Sequence, residues 1–245
     1  WVSMLVICSQ SFAGTGTSGD PFVSIDEAYK ASSSGRYYFN TGSGLFQADI
    51  DTSEGGGWVL VLQYVHQGGT NPALSVTGAG ADLPVTSAAA LGTDESGITA
   101  NWGHGGNAAL AQFTGDLETR WYGETANHGR KIHFYSTVGD DYWRTGAGSA
   151  SGMAGNFTAL AGHTANIPAT ATSYYGNKMD YALTNFPYYH GGTGHWGVRG
   201  QDGALGANGT RWEVDDGAVT TQSTIHRVWV RSASTTVVTN TNDSG

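Results

Sequence analysis

The sequence predicts an α+β domain that is loop-rich, with a central, mostly antiparallel sheet and few short helices. Three observations carry this. Glycine supplies 38 of 245 residues while charged residues make up only 13%, a composition unlike a helical bundle and suited to short strands joined by many turns. The clearest periodic segments are β-branched and aromatic runs bounded by glycine. One run, Trp58–Val65, is apolar but for Gln63, the pattern of a central strand covered on both faces.

The elements follow in order. Residues 1–13, "WVSMLVICSQSFA", are mainly apolar and precede "GTGTSGDP". They read as a signal remnant or as a strand that docks on this domain or a neighbouring subunit, so 1–19 is taken as an N-terminal segment and linker. "SIDEAYKASSSG" predicts the clearest helix: Ser24 and Glu27 have capping-box spacing, Ile25, Ala28 and Tyr29 face inward, and Gly35 is the stop. Strands are predicted over 36–40 and 45–51, flanking a Gly-Ser-Gly turn. A glycine triplet, Gly55–Gly57, then leads into the central strand. Residues 66–117 are expected to be loop-rich, with helical pieces around 84–91 and 106–113. A strand, a turn at "ANHGR" and a second strand are predicted within 119–137. The segment 139–185 alternates turns with short apolar pieces. "STIHRVWVRS" (223–232) is a β-branched, aromatic strand, and 233–245 is a polar tail or linker.

Composition also excludes function classes. Eleven basic against twenty acidic residues give a net charge of -9, and no basic stripe exists for nucleic acid. One cysteine, Cys8, leaves no internal disulfide framework. No apolar run reaches the ~18 residues of a transmembrane helix. Catalysis is not expected: there is no nucleophile elbow of the GxSxG type and no HExxH, and Glu124 with His128 is an acid–base pair in name only.

Two constellations are candidate sites. "RWEVDDG" places Glu213, Asp215 and Asp216 within four positions, and Asp202 lies upstream among glycines. Carboxylates and exposed carbonyls are what a hard cation such as Ca²⁺ needs. In a strand, Glu213 and Asp215 share one face while Trp212 and Asp216 share the other, so convergence requires a turn at 215–217. The alternative is that Arg199, Arg211 or Arg227 pairs with these acids. The second constellation is "YYHGGTGHWG", where Tyr188, Tyr189, His190, His195 and Trp196, with Trp212, form a platform for sugar rings and hydroxyls. The alternative is that they fill the core beneath a long loop.

The run from Ser34, "SGRYYFNTGSGLFQADIDTSEGGGWVLVLQ", resembles the opening half of fibrinogen-like C-terminal domains. The shared features are Ser34, Gly35, Tyr37, Phe46, Asp51 and Gly55–Trp58. The first half is also similar to intelectins. Downstream, "RWYGETANHGRKIHFYS", "DYALTNFPYYHGG", "HWGVRG" and "RWEVDD…TIHRVWVR" resemble the bacterial, disulfide-poor branch of that superfamily. The resemblance covers roughly 20–232, which is taken as the domain. The chain departs from it at Ile50, where the family has a cysteine, and in lacking both the vertebrate calcium loop and the intelectin sugar-site pattern.

The resemblance implies a fibrinogen-like, non-catalytic recognition domain, extracellular or on a cell surface. The reading is lectin-like adhesion to glycans or cell-surface polysaccharide, optionally assisted by Ca²⁺. The rival reading is a structural subunit of an extracellular filament, sheath or virion appendage, self-assembled by strand donation from residues 1–13.

Overall fold

The structure is a computed structural model of the chain. It describes residues 14–70, 72, 74–77, 80–93, 95, 102–126, 129, 131–137, 157–164, 197, 214 and 222–233. Among these, nine strands form one sheet, and the helical content is one 3₁₀ helix, Ile25–Lys30, and one short α-helix, α1 (Asn107–Leu110). The strands are β1 (Gly35–Phe39), β2 (Phe46–Asp51), β3 (Trp58–His66), β4 (Val76–Thr77), β5 (Gly103–Gly105), β6 (Leu117–Thr125), β7 (Lys131–Ser136), β8 (Thr158–Ala159) and β9 (Thr224–Ser232). The main path is β1-β2-β3-β9-β6-β7-β8, antiparallel at every step, and the β4–β5 pair is parallel. The mostly antiparallel sheet with few short helices is therefore present as the sequence predicts.

The apolar run is β3, and all nine of its residues are buried. It pairs with β2 near its start, with β5 at its middle, and with β9 along its length. Strand alternation then sorts the two faces. One face carries Val59, Tyr64, Trp121, Val228 and Val230 into the main core, with Phe22, Phe39, Phe46 and Phe113 at one end. The other face carries Trp58, Leu60 and Trp229, with Tyr122 and Tyr135 packed against them. Arginines and carboxylates interleave this second, smaller layer.

The predicted N-terminal helix is shorter than expected and of 3₁₀ type. Ile25 and Ala28 are buried as predicted. The capping box does not form: the Ser24 side chain makes no cap bond, and Glu27 Oε2 accepts from the N–H of Val23, one residue before the cap, at 2.8 Å, with Oε1 accepting from Lys30 at 2.8 Å. Residues 84–91 are not helical. Pro84 starts them in a strap held extended by β2: Leu83 N–H donates to the Gln47 carbonyl at 2.8 Å, and Thr86 N–H to Asp49 Oδ2 at 2.6 Å. Of the piece expected at 106–113, α1 remains.

The glycine triplet does what its composition requires. Glu54, Gly55, Gly56 and Gly57 all have positive φ, from 50° to 88°. Such a run is open to glycine and strained for other residues. The turn aims the Glu54 carbonyl at the Trp58 indole N–H, 3.1 Å away. A β-carbon on Gly57 would lie 2.9 Å from the ring of Tyr29. Gly57→Ala is therefore expected to cost at least ~1–2 kcal/mol from the backbone alone, read as a lowered midpoint in urea unfolding. A loss below a few tenths of a kcal/mol would show that the turn relaxes freely.

Candidate functional site

The second face of the sheet is built from alternate residues of five strands. β6 contributes Glu118, Arg120, Tyr122 and Glu124. β9 contributes Arg227, Trp229 and Arg231, which face them across the pairing register. β3 contributes Trp58 and Gln63, β2 contributes Asp49 and Asp51, and β7 contributes His133 and Tyr135.

Arg120 is buried at the centre. Its guanidinium lies 4.0 Å from the Trp229 ring centroid and 5.2 Å from that of Trp58, and it forms a short ion pair with Asp51. Arg231 stacks on Trp58 at 4.0 Å and pairs with Glu118 at 2.6 Å, while its Nη1 donates to the carbonyls of Glu54 and Gly56. Cations and rings thus alternate across the layer, an arrangement worth about 2 kcal/mol per contact where the cation is desolvated. Burial pushes the Asp51 carboxyl up. The Arg120 charge and hydrogen bond, with donors from Ser53, outweigh it and hold the carboxyl below the ordinary carboxylate range. Burial draws the Arg120 pKa down, opposed by Asp51.

Beside this layer opens a cleft of about 430 Å³. Its floor is Arg120, Tyr122, Arg227 and Trp229. Asp49, Ile50 and Asp51 of β2, with Ser34, Gly35 and Ser53, line one side, and Thr86 of the strap and His133 complete the lining. Arg36 pairs with Asp49 at 3.2 Å and bonds the carbonyls of Leu83 and Pro84, which fixes the strap to β1 and β2. Ser87, next in the strap, accepts from Arg227 Nη2 at 3.2 Å. The wall is therefore tied to both halves of the sheet.

His133 Nδ1 lies 2.7 Å from the Ala161 carbonyl, so Nδ1 carries the proton and Nε2 is left as an acceptor. Burial pulls its pKa below the ordinary 6.5, with the Arg120 charge adding to the fall and the Ala161 bond opposing it. The ring is neutral at neutral pH. Burial and the nearby Glu124 carboxylate raise the Tyr122 phenol, which stays protonated. The cleft combines flat apolar faces, hydroxyls, a neutral acceptor and arginine donors on rigid strands. A polar small molecule with both apolar and hydroxyl edges fits that chemistry.

Tyr188, Tyr189, His190, His195, Trp196 and Trp212, the acids Asp202, Glu213, Asp215 and Asp216, and residues 1–13 all lie outside the described residues. So does His128, and Glu124 pairs with Lys131 at 2.8 Å. Among the described residues no three His, Cys, Asp or Glu side chains group to hold a metal ion. Arg227, considered as a partner for the acids, bonds Gln63 Oε1 at 2.7 Å and the Ser87 carbonyl among the described residues. The cleft was missed because its residues are scattered from 34 to 229. The available signal was the alternation Arg227-x-Trp229-x-Arg231, which puts two cations and a ring on one strand face.

No family model matches the chain, and no curated protein matches it. Among solved structures it is similar to the fibrinogen-like globe domain of human ANGPTL6, at 18% identity and a TM-score of 0.39, over 86% of this chain and 96% of that one. A likeness this low assigns no ligand. No helix among the described residues is long and apolar enough to cross a membrane.

The Asp51–Arg120 pair gives a test. Asp51→Asn leaves a buried guanidinium without its counter-charge, so a loss of about 3 kcal/mol is expected at pH 7. The folded carboxyl titrates below the ordinary 3.8. Its contribution is therefore complete above 3.8 and lost as the pH falls through the lower folded value. The stability gap between wild type and Asp51→Asn should stay constant from pH 7 to about 5 and close below 3.8. A gap that persists unchanged to pH 2 would remove the ion pair as its cause.

Proposed function

We propose that the chain is a non-catalytic recognition domain that binds carbohydrate in the sheet-face cleft. One observation carries this: the cleft presents the half-buried Tyr122 ring, with buried Trp229 beneath, beside the neutral His133, Ser34 and Thr86, on strands locked by the Arg120 layer. Rings stack on the apolar faces of a sugar, and the polar edges bond its hydroxyls. Recognition at a cell surface or outside the cell, in adhesion, is the setting we propose for this domain. Calcium assistance through Asp202, Glu213, Asp215 and Asp216 is the further part of the proposal, drawn from the residue types alone.

A glycan array, run with and without EDTA, tests both parts. Binding is expected in at least one condition, and its loss in EDTA would mark the calcium-dependent part. Thr86→Trp plugs the cleft while its backbone N–H can still reach Asp49. It is expected to abolish array binding and shift Tm by no more than about 2 °C, as befits an exposed substitution. Array binding that survives Thr86→Trp would move the site away from this cleft, and no binding in either condition would end the carbohydrate reading.

A further inference from the structure

Four arginines are described in full on this side of the sheet, and three hold a carboxylate. Arg36 has Asp49, Arg120 has Asp51, and Arg231 has Glu118. Arg227 lines the same cleft and, among the described residues, its bonded partners are neutral: its Nε donates to Gln63 Oε1, its Nη2 to the Ser87 carbonyl, and its guanidinium lies 5.7 Å from the Tyr122 ring centroid. The nearest acid on its own face, Glu124, is engaged by Lys131. Three of the five guanidinium N–H donors remain.

A half-buried cation without a counter-ion is a costly thing to keep. Burial draws the Arg227 pKa down; Tyr122 and the Glu124 charge oppose this from a distance, and among the described residues no carboxylate is bonded to it. The side chain is nevertheless held through Nε and Nη2, so it is ordered before any ligand arrives, and its Nη1–Nη2 edge keeps N–H groups to donate. A planar, immobilised guanidinium with free N–H groups facing a cleft is the geometry that receives a carboxylate, two parallel bonds at a time. Asp49 and Asp51, the acids in the lining, are each neutralised by their own arginine and do not compete for it.

From this geometry we infer that the cleft selects a carboxylate-bearing ligand, with Arg227 receiving the carboxylate. The inference rests on the reading of the cleft as a ligand site and narrows it to acidic sugars over neutral ones.

Isothermal titration of the whole chain with glucuronic acid, glucose and acetate tests it. Wild type should bind glucuronic acid at least tenfold more tightly than glucose. Arg227→Gln should bring the two to the same affinity, and Arg227→Lys, which keeps the charge but not the fork, should fall between. Glucuronic acid binding with acetate silent assigns the carboxylate to a sugar. Acetate binding as tightly as glucuronic acid assigns it to a small organic acid, and Arg227 keeps its role. Equal affinity of wild type for glucose and glucuronic acid overturns this inference alone, as does an acid preference that survives in folded Arg227→Gln. No binding by any of the three overturns both it and the ligand reading beneath it.

Discussion

The architecture depends on one buried cation. Arg120 comes from β6, its counter-ion Asp51 from β2, and the two rings that flank it, Trp58 and Trp229, from β3 and β9. Taking a guanidinium out of water costs several kcal/mol, so the pair yields little net stability over a well-packed apolar substitute. What it imposes is simultaneity. If any one of the four strands is absent or shifted by one residue, the charge is stranded or a ring turns to the opposite face. Register across the middle of the sheet is therefore set by a polar requirement, and the apolar core on the other face fills in behind it.

That division of labour explains what could be read from the residues. The strands were legible because their signals are local: a nearly continuous apolar run for β3, alternation in β2 and β7, a β-branched stretch for β9. The glycine triplet was legible for the same reason, since three successive left-handed residues require glycine whatever surrounds them. The strap at 82–87 was not legible. Its alanine-rich continuation looks helical, and its bonds to Arg36, Gln47, Asp49 and Arg227, all distant in sequence, hold it extended. The cleft fails to show for a similar reason. Acidic and aromatic clusters at 188–217 draw attention because they are contiguous, whereas Ser34, Asp51, Thr86, Tyr122, His133 and Arg227 become neighbours only through pairing.

The cleft also illustrates how a rigid scaffold prepares a site. Its floor sits on two central strands, β6 and β9, and its wall is fastened to β1 and β2 through Arg36 and Asp49 and to β9 through Ser87. Side chains held in this way lose little freedom when a ligand binds, so more of each contact appears as affinity. The neutral His133, the protonated Tyr122 phenol and the fixed Arg227 give the cleft three different hydrogen-bonding characters within one small volume.

The place of β9 has a consequence for how the protein is made. This strand lies between β3 and β6, and Arg227 meets a residue, Gln63, that precedes it by 164 positions. At about 5–20 residues per second, Gln63 leaves the ribosome roughly 8–33 seconds before its partner exists. Through that interval β3 and β6 each present an open edge to the crowded surroundings, and neither can close on the other without the strand that separates them. The domain therefore completes its sheet only after translation has passed β9, and a nascent chain is at its most vulnerable to wrong pairing just before the last strand arrives.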